Sequence, residues 1–256
     1  MTRPHRSEVS RRALLSGLAA GAAAVGLPLA EAPAADAAPL RKLKVLVAGA
    51  HPDDPELAAG GTIARYTDLG HEVVCLYLTR GEMGKLNEPK TPQETAQIRS
   101  AECEKACVIL GARPLFAGQI DASTEVSPAR YDAFGKLIAA VKPDVVFTHF
   151  PLDPHRDHRT TALLVYDAWL KAAKPFELYY FEVKTGLQSS LFRPTLYVDI
   201  TATEERKKKA CYVHSHGEQV YTGWTDVMNR FRGLECRCKY AEAFVHHPRG
   251  ATTPLP

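Results

Sequence analysis

The sequence is short of cysteine, of net charge and of long apolar runs. Six cysteines in 256 residues are too few for a disulfide scaffold, and their spacing matches no zinc ribbon or finger. A formal net charge of +3 gives no reason to expect a nucleic-acid partner. The first strand-like segment, Val45-Leu46-Val47-Ala48, is not followed by the Gly-x-Gly-x-x-Gly pattern of a dinucleotide site.

The cysteines show no local pairing. Cys103 and Cys107 are four residues apart on a predicted helix, which makes them neighbours but is awkward for a disulfide. Cys236 and Cys238 are also a poor local pair. We therefore interpret most of the six as small apolar residues and leave long-range pairing open.

The first residues predict an export signal. A basic start is followed by the apolar, Ala- and Gly-rich stretch Leu14 to Ala30, and Ala35-Asp36-Ala37 suits a signal peptidase. Ser10-Arg11-Arg12 favours twin-arginine export. A membrane anchor is the alternative, but the run is short and precedes a cleavage pattern. We predict a signal peptide over 1–37, export to the periplasm or the exterior, and no stable membrane span after processing.

The remaining chain predicts one α/β domain. Without residues 1–37 it has 28 Lys and Arg against 26 Asp and Glu, a net charge of +2. A linker over 38–43 leads to the domain, 44–247, and a flexible tail, 248–256, follows it. Apolar runs alternate with helical patterns, which predicts a mostly parallel sheet with helices on both faces. The predicted strands are 44–50, 72–79, 114–117, 144–148, 178–183 and 195–200. The predicted helices are 55–69, 91–110, 127–141, 159–173, 203–214 and 225–231.

Two loops concentrate the reactive side chains, and each follows a predicted strand. The first is Ala50-His51-Pro52-Asp53-Asp54 and the second is Pro151-Leu152-Asp153-Pro154-His155-Arg156-Asp157-His158. Because the carboxyl ends of parallel strands share one edge of the sheet, we expect the two loops to converge.

The residue types in these loops are those of a catalytic metal site. Zinc commonly takes three ligands from His and Asp or Glu, and His51, Asp54 and His158 fit that set. Asp53 is then the candidate base and His155 the candidate acid, with Asp157 available to orient the ring of His155. Singly, Asp54-Pro55-Glu56 is an ordinary helix start and Asp153-Pro154 an ordinary turn. Together, so many acids and imidazoles would be costly to gather without a cation or a shared proton.

His51-Pro52-Asp53-Asp54 with the downstream His155-x-Asp157-His158 resembles the zinc-dependent N-deacetylases of the PIG-L and LmbE-like family. The resemblance covers nearly the whole domain and implies a Rossmann-like three-layer sandwich. Supporting likeness lies in Gly60-Gly61-Thr62-Ile63-Ala64, Leu78-Thr79-Arg80-Gly81-Glu82, Val198-Asp199-Ile200-Thr201 and Ala241-Glu242-Ala243-Phe244.

The resemblance also implies residue roles. It assigns His51, Asp54 and His158 as zinc ligands, Asp53 as general base, and His155 as the group that stabilises the oxyanion and the leaving amine. It suggests Arg99 and Asp121 as substrate-holding residues, for which an exposed helix ion pair and a loop turn are the alternatives. One departure is His214 to Gln219, where family members often carry His-x-Ser-Gln, so the contacts made there stay open.

We therefore predict an exported metal-dependent N-deacetylase that acts on an N-acetylated sugar or glycoconjugate. The predicted cofactor is Zn²⁺, although a His/His/Asp set also accepts other divalent ions. The alternatives are a metal-dependent amidohydrolase for a non-sugar acyl amine and a non-catalytic sugar-binding protein of the same fold. The oligomeric state is left open.

Overall fold

The computed structural model describes residues 41–172, 176–183 and 191–247. The signal peptide, the first part of the linker and the tail lie outside these residues and stay predictions. Leu43, which we assigned to the linker, is buried and donates its N–H to His71 at the start of the sheet. No helix in the described ranges combines the length and the apolar character that crossing a bilayer requires.

Strands and helices alternate along the chain as predicted. The strands are β1 (Lys44–Gly49), β2 (Glu72–Tyr77), β3 (Arg113–Phe116), β4 (Val145–His149), β5 (Glu177–Phe181), β6 (Leu196–Asp199) and β7 (Ala241–His246). The helices are α1 (Asp54–Asp68), α2 (Pro92–Leu110), α3 (Pro128–Val141), α4 (Arg156–Lys171), α5 (Glu204–Tyr212), α6 (Gly217–Val220) and α7 (Asp226–Cys236). A π-helical turn, Tyr221–Thr225, joins the last two.

One seven-stranded sheet runs in the order β3-β2-β1-β4-β5-β7-β6. The first five strands are parallel, whereas β7 is antiparallel to both β5 and β6. This confirms the predicted α/β fold with a mostly parallel sheet. The chain moves from β1 outward to β2 and β3, and then crosses to β4 on the other side of β1, so the order reverses between β1 and β4. Such a switch point opens a crevice at the carboxyl ends of the strands.

Two apolar cores cover the two faces of the sheet, as the predicted layering requires. Alternate residues of β1 serve different cores because successive side chains of a strand point to opposite faces. Val45 and Val47 pack with residues of α1, α2 and α5, whereas Leu46 and Ala48 pack with residues of α3 and α4. All four are essentially inaccessible to solvent. The sheet is thus a rigid platform for the loops at its edge.

Strand β7 was not predicted, because Glu242 interrupts its apolar pattern. The structure shows why a carboxylate is tolerated there. Helix α1 is broken at Ala59, and the Glu242 carboxylate accepts the freed N–H groups of Gly61 and Thr62, each at 2.8 Å. The buried ammonium of Lys207 lies 2.6 Å from the same carboxylate. A buried charge is stable when it is paired and hydrogen-bonded in this way.

One local expectation needs correction. Helix α4 begins at Arg156 rather than at residue 159, because the ring of His155 accepts the N–H of Asp157 and caps the first turn. The sulfurs of Cys236 and Cys238 lie 3.3 Å apart without forming a disulfide, in agreement with the prediction that they are a poor local pair. The left-handed backbone of Arg237, with φ of 64°, turns the chain between them. Both thiols are free.

Candidate active site

The predicted site residues meet at the carboxyl edge of the sheet, where the strand order reverses. The loop after β1 supplies His51, Asp53 and Asp54, and the start of α4 supplies Asp157 and His158. The expectation that the two distant loops converge is therefore confirmed.

Asp54 is held in place by the loop that precedes it. Its Oδ2 accepts the N–H groups of Ala50 at 3.0 Å and His51 at 2.7 Å. The absence of a side chain at Gly49 permits this fold, because a Cβ there would lie 2.7 Å from the Asp54 Cβ. The carboxylate thus folds back over the end of β1. In an ordinary helix start it would instead cap the first turn of the helix.

Three imidazoles surround the buried Asp54 carboxylate. The nearest ring nitrogens are Nδ1 of His51 at 3.3 Å, Nε2 of His149 at 3.2 Å and Nε2 of His158 at 3.5 Å. Burial alone would raise the pKa of Asp54, but His158 and His149 outweigh it and hold the pKa well below its usual value. Asp54 is therefore a carboxylate in the folded protein.

Further carboxylates hold these imidazoles from outside. Nε2 of His51 lies 3.2 Å from Asp121 and 3.3 Å from Asp157, and Nδ1 of His158 lies 3.0 Å from Asp153. Burial lowers the pKa of His51, but these acids and Asp54 raise it well above its usual value. Carboxylates that bind the far nitrogen of a histidine fix its ring in the way that metal-ligating histidines are commonly fixed.

The donor atoms of this cluster suit a divalent cation. Three sets of side chains each have ligand atoms within 4.8 Å of one another: Asp54, His149 and His158; His51, His155 and His158; and His51, Asp121 and Asp157. The predicted ligands His51, Asp54 and His158 lie across the first two sets. Imidazole nitrogen and carboxylate oxygen are the donors that zinc takes in catalytic sites.

Asp53 differs from its neighbour Asp54 in exposure, in backbone conformation and in its bonding partner. Its side chain is 28% exposed, and its backbone is in the left-handed region with φ of 100°. Arg99, from α2, donates to its carboxylate at 3.2 Å and to the carbonyl of Pro52 at 2.6 Å. Removal from water raises the pKa of Asp53, and the guanidinium opposes that rise.

His155 lies over the cluster at its solvent side. Its exposed ring contacts the rings of His51 and His158, with centroids 4.8 and 4.7 Å apart. Its Nδ1 accepts the N–H of Asp157 at 3.2 Å, so the neutral ring carries its proton on Nε2. Burial and the two neighbouring imidazoles lower the pKa of His155.

Three predicted residues have contacts that the sequence did not specify. The carboxylate of Asp157 contacts His51, and only its main-chain N–H contacts His155, so its predicted role in orienting the ring of His155 stays a prediction. Asp121 also contacts His51, through Oδ1, and its Oδ2 accepts the N–H of Met83 at 3.2 Å. Arg99 contacts Asp53. The predicted role of Asp121 and Arg99 in holding substrate stays a prediction.

Sequence reasoning missed His149 and Asp153. His149 is the last residue of β4, fully buried, and its ring stacks on His158 at 3.9 Å. Burial and His158 lower its pKa to about 4, so this imidazole is neutral. Asp153 had been interpreted as part of a turn. The one signal that could have identified both is position, since each lies at the carboxyl end of a strand beside the switch point.

A second buried cluster adjoins Asp53. His214 lies between the carboxylates of Glu56 and Glu102, 3.7 and 3.8 Å away. Burial lowers its pKa, but the two acids raise it to about 10, so His214 carries a charge. The hydroxyl of Tyr77 donates to Glu56 at 2.5 Å. His214 is the first residue of the segment, His214 to Gln219, that departs from the His-x-Ser-Gln pattern of the family. It therefore lies in the interior, beside the site.

Comparison with known proteins agrees with the geometry. The sequence profile described as "PIG-L: GlcNAc-PI de-N-acetylase" matches residues 46–169, which include both reactive loops. A diacetylchitobiose deacetylase of Thermococcus kodakarensis is 28% identical over 225 residues, covering 80% of this chain and 83% of that protein. A 1D-myo-inositol 2-acetamido-2-deoxy-alpha-D-glucopyranoside deacetylase of Mycolicibacterium gilvum is 30% identical over 194 residues, covering 63% of this chain and 68% of that protein.

A solved structure shares the fold. The N,N'-diacetylchitobiose deacetylase of Pyrococcus horikoshii, determined with an inhibitor, superimposes with a TM-score of 0.72 at 26% identity. The alignment covers 80% of this chain and 84% of that one. The alignment therefore extends over most of the described residues.

Proposed function

The chain belongs to the PIG-L family of GlcNAc-PI de-N-acetylases, and from that membership we propose that it is a metal-dependent N-deacetylase. Its substrate would be an N-acetylated sugar or sugar conjugate of the N-acetylglucosamine type, and its products an amine and acetate. The observation that carries this proposal is that the adjacent side chains of Asp53 and Asp54 lie in different surroundings. Asp54 is a buried carboxylate among imidazoles, whereas Asp53 is partly exposed and paired with the guanidinium of Arg99.

His51, Asp54 and His158 would hold the metal, for which we propose zinc. When bound, a divalent cation supplies Lewis acidity to the attacking water and to the acetamide carbonyl. The outer carboxylates on His51 and His158 support this assignment, because they would keep both rings oriented and basic.

Proton transfer falls to Asp53, and stabilisation of the oxyanion falls to His155. Asp53 takes one proton from the attacking water, and its raised pKa helps it keep that proton while the tetrahedral intermediate exists. His155 presents an N–H at Nε2, which can donate a hydrogen bond to the developing oxyanion. The proton that Asp53 took from water then passes to the leaving nitrogen as the C–N bond breaks, which gives acetate and a free amine and returns Asp53 to its ionised form.

The test combines metal analysis with an amine-release assay on N-acetylglucosamine and diacetylchitobiose. Asp53→Asn keeps the shape and tolerates the positive φ, so it should retain metal and lose roughly 10²- to 10⁴-fold in kcat. His158→Gln should lose the metal itself. Near-wild-type turnover by Asp53→Asn would refute the base assignment. Hydrolysis restricted to non-sugar acyl amines would favour an amidohydrolase, and sugar binding without hydrolysis would indicate a binding protein.

A further inference from the structure

A large cavity lies at the amino edge of the sheet, opposite the candidate active site. Its volume is about 820 Å³, which is in the range of small-molecule sites. Lys44 begins β1, Asp144 immediately precedes β4 and Phe176 immediately precedes β5, and all three line the cavity. Because these strands are parallel, their first residues share one edge. The length of β1, roughly 16 Å, lies between this edge and the edge that carries His51.

The inner wall of the cavity is apolar. It is formed in part by Ile138 on α3, Ala168 on α4 and Phe176, all of which are buried. Gly135, inside α3, leaves further room, because a Cβ built there would have no atom of the described residues within 4 Å. Glycine is disfavoured inside a helix. Gly135 therefore keeps the cavity open at the expense of local helix propensity.

Cations outnumber carboxylates around this apolar wall. The lining residues include six Lys and Arg side chains but only two Asp side chains. Three of the six cations form ion pairs: Arg41 with Asp144 at 2.8 Å, Lys171 with Asp167 at 3.0 Å and Lys44 with Glu72 at 4.0 Å. The cavity therefore presents a surplus of positive charge.

The remaining three cations are Lys42, Lys136 and Lys142. Within the ranges that the structure describes, none of them forms an ion pair with a carboxylate. Lys142 directly follows the last residue of α3, where a cation interacts favourably with the final carbonyls of the helix. Lys42 and Lys136 have no such partner, since one precedes β1 and the other lies inside α3. Both are exposed and accessible to a ligand.

We propose that this cavity binds a small amphiphilic anion, with its apolar body against α3 and α4 and its acid group beside Lys42 and Lys136. Both halves of the lining are needed for this assignment. An uncharged ligand would gain nothing from the two lysines, and an inorganic anion would gain nothing from the apolar wall. Ligand sites commonly combine such apolar walls with a few polar groups. The proposal does not depend on deacetylation, because the two sites lie at opposite edges of the sheet.

Isothermal titration calorimetry on the full chain tests the chemistry of the ligand. The probes are octanoate, octanol, octyltrimethylammonium and inorganic phosphate. We expect one octanoate to bind per chain with a Kd of about 0.1–1 mM. Octanol and octyltrimethylammonium should bind at least about fivefold more weakly, since they lack the negative charge. Phosphate alone should show no saturable binding.

Two pairs of variants locate the bound octanoate. Lys42→Gln with Lys136→Gln should weaken octanoate binding about fivefold, whereas Lys105→Gln, an exposed lysine on α2, should leave it unchanged. Gly135→Leu should fill the cavity and weaken binding by at least about tenfold, because the apolar body loses its place. Gly135→Ala adds only one methyl group and should keep most of the affinity. Circular dichroism checks that each variant is folded.

Several outcomes would overturn the proposal. Octanol that binds as tightly as octanoate would show an apolar groove without anion selectivity. Octanoate binding that survives in Gly135→Leu would place the ligand elsewhere, and absence of saturable binding would leave the cavity without this ligand. Light scattering during the titration records the mass of the particle. Self-association that octanoate reverses would identify a second copy of the chain as the occupant instead.

Discussion

Arg99 binds the candidate base Asp53 and the backbone that carries it. One guanidinium nitrogen donates to the Asp53 carboxylate at 3.2 Å and to the Pro52 carbonyl at 2.6 Å, and the other donates to the carbonyl of Gly81 at 3.4 Å. The same side chain therefore fixes the position of Asp53 and adds a positive charge beside it. This contact makes Arg99 a positioning residue in the proposed reaction.

Replacing Arg99 by Gln should move the acid limb of the pH profile. Asp53 acts in its ionised form, and the guanidinium lowers its pKa. Loss of that charge raises the pKa, so the acid limb of kcat/KM should shift upward by about one pH unit. Arg99→Lys should restore part of the shift. A rise in KM with an unchanged pH profile would instead support the predicted contact with substrate.

Asp153→Asn should weaken metal binding without unfolding the protein. Asp153 lies 3.0 Å from the Nδ1 of His158 and also accepts the N–H of His155 at 2.7 Å. Loss of such an outer carboxylate typically costs about 10- to 100-fold in metal affinity. Competition with a chromogenic chelator measures this directly. Asp132→Asn, on the exposed side of α3, is the control, and equal affinities in the two variants would contradict the role of Asp153.

The buried charge on His214 predicts a loss of stability at alkaline pH. Its pKa is about 10 in the folded protein, above the usual 6.5. A raised pKa stabilises the fold fully below pH 6.5, and that contribution is lost as the pH rises to about 10. The free-energy difference between wild type and His214→Gln should therefore shrink over this range, with a slope no steeper than about 1.4 kcal/mol per pH unit.

Urea titrations of metal-free protein at pH 6, 8 and about 10 measure this difference. Because both proteins share every other titrating group, their subtraction isolates His214. A difference that stays constant across the three pH values would show that His214 is neutral in the fold.

Gly61 should not tolerate a methyl group. A Cβ at this position would lie 2.6 Å from the Cβ of Ile200, a rigid part of a fully buried side chain. Gly61→Ala should therefore destabilise the protein by about 1–3 kcal/mol in urea unfolding. Gly135→Ala, inside α3 with no atom within 4 Å of its Cβ, should stabilise by up to about 1 kcal/mol. Equal effects of the two substitutions would count against close packing at Gly61.

The sequence by itself determined the framework of this protein. Alternating apolar runs and helical patterns predicted the parallel sheet, because the periodicity of side chains follows directly from strand and helix geometry. The placement of His51, Asp54 and His158 at one edge followed from the same alternation. Strand β7 was missed, since the partners that stabilise its buried Glu242 come from α1 and α5.

Only the tertiary structure decided which polar atoms meet. The contact of Arg99 with Asp53 joins residues 46 positions apart, and that of His51 with Asp157 joins residues 106 positions apart. Such pairs depend on strand register and on the path of each loop, which local patterns do not encode. His149 shows the difference most clearly: in the sequence it merely ends a strand, whereas in the fold its ring lies against His158 and Asp54. Residue types thus predict the chemistry, and packing determines the role of each residue.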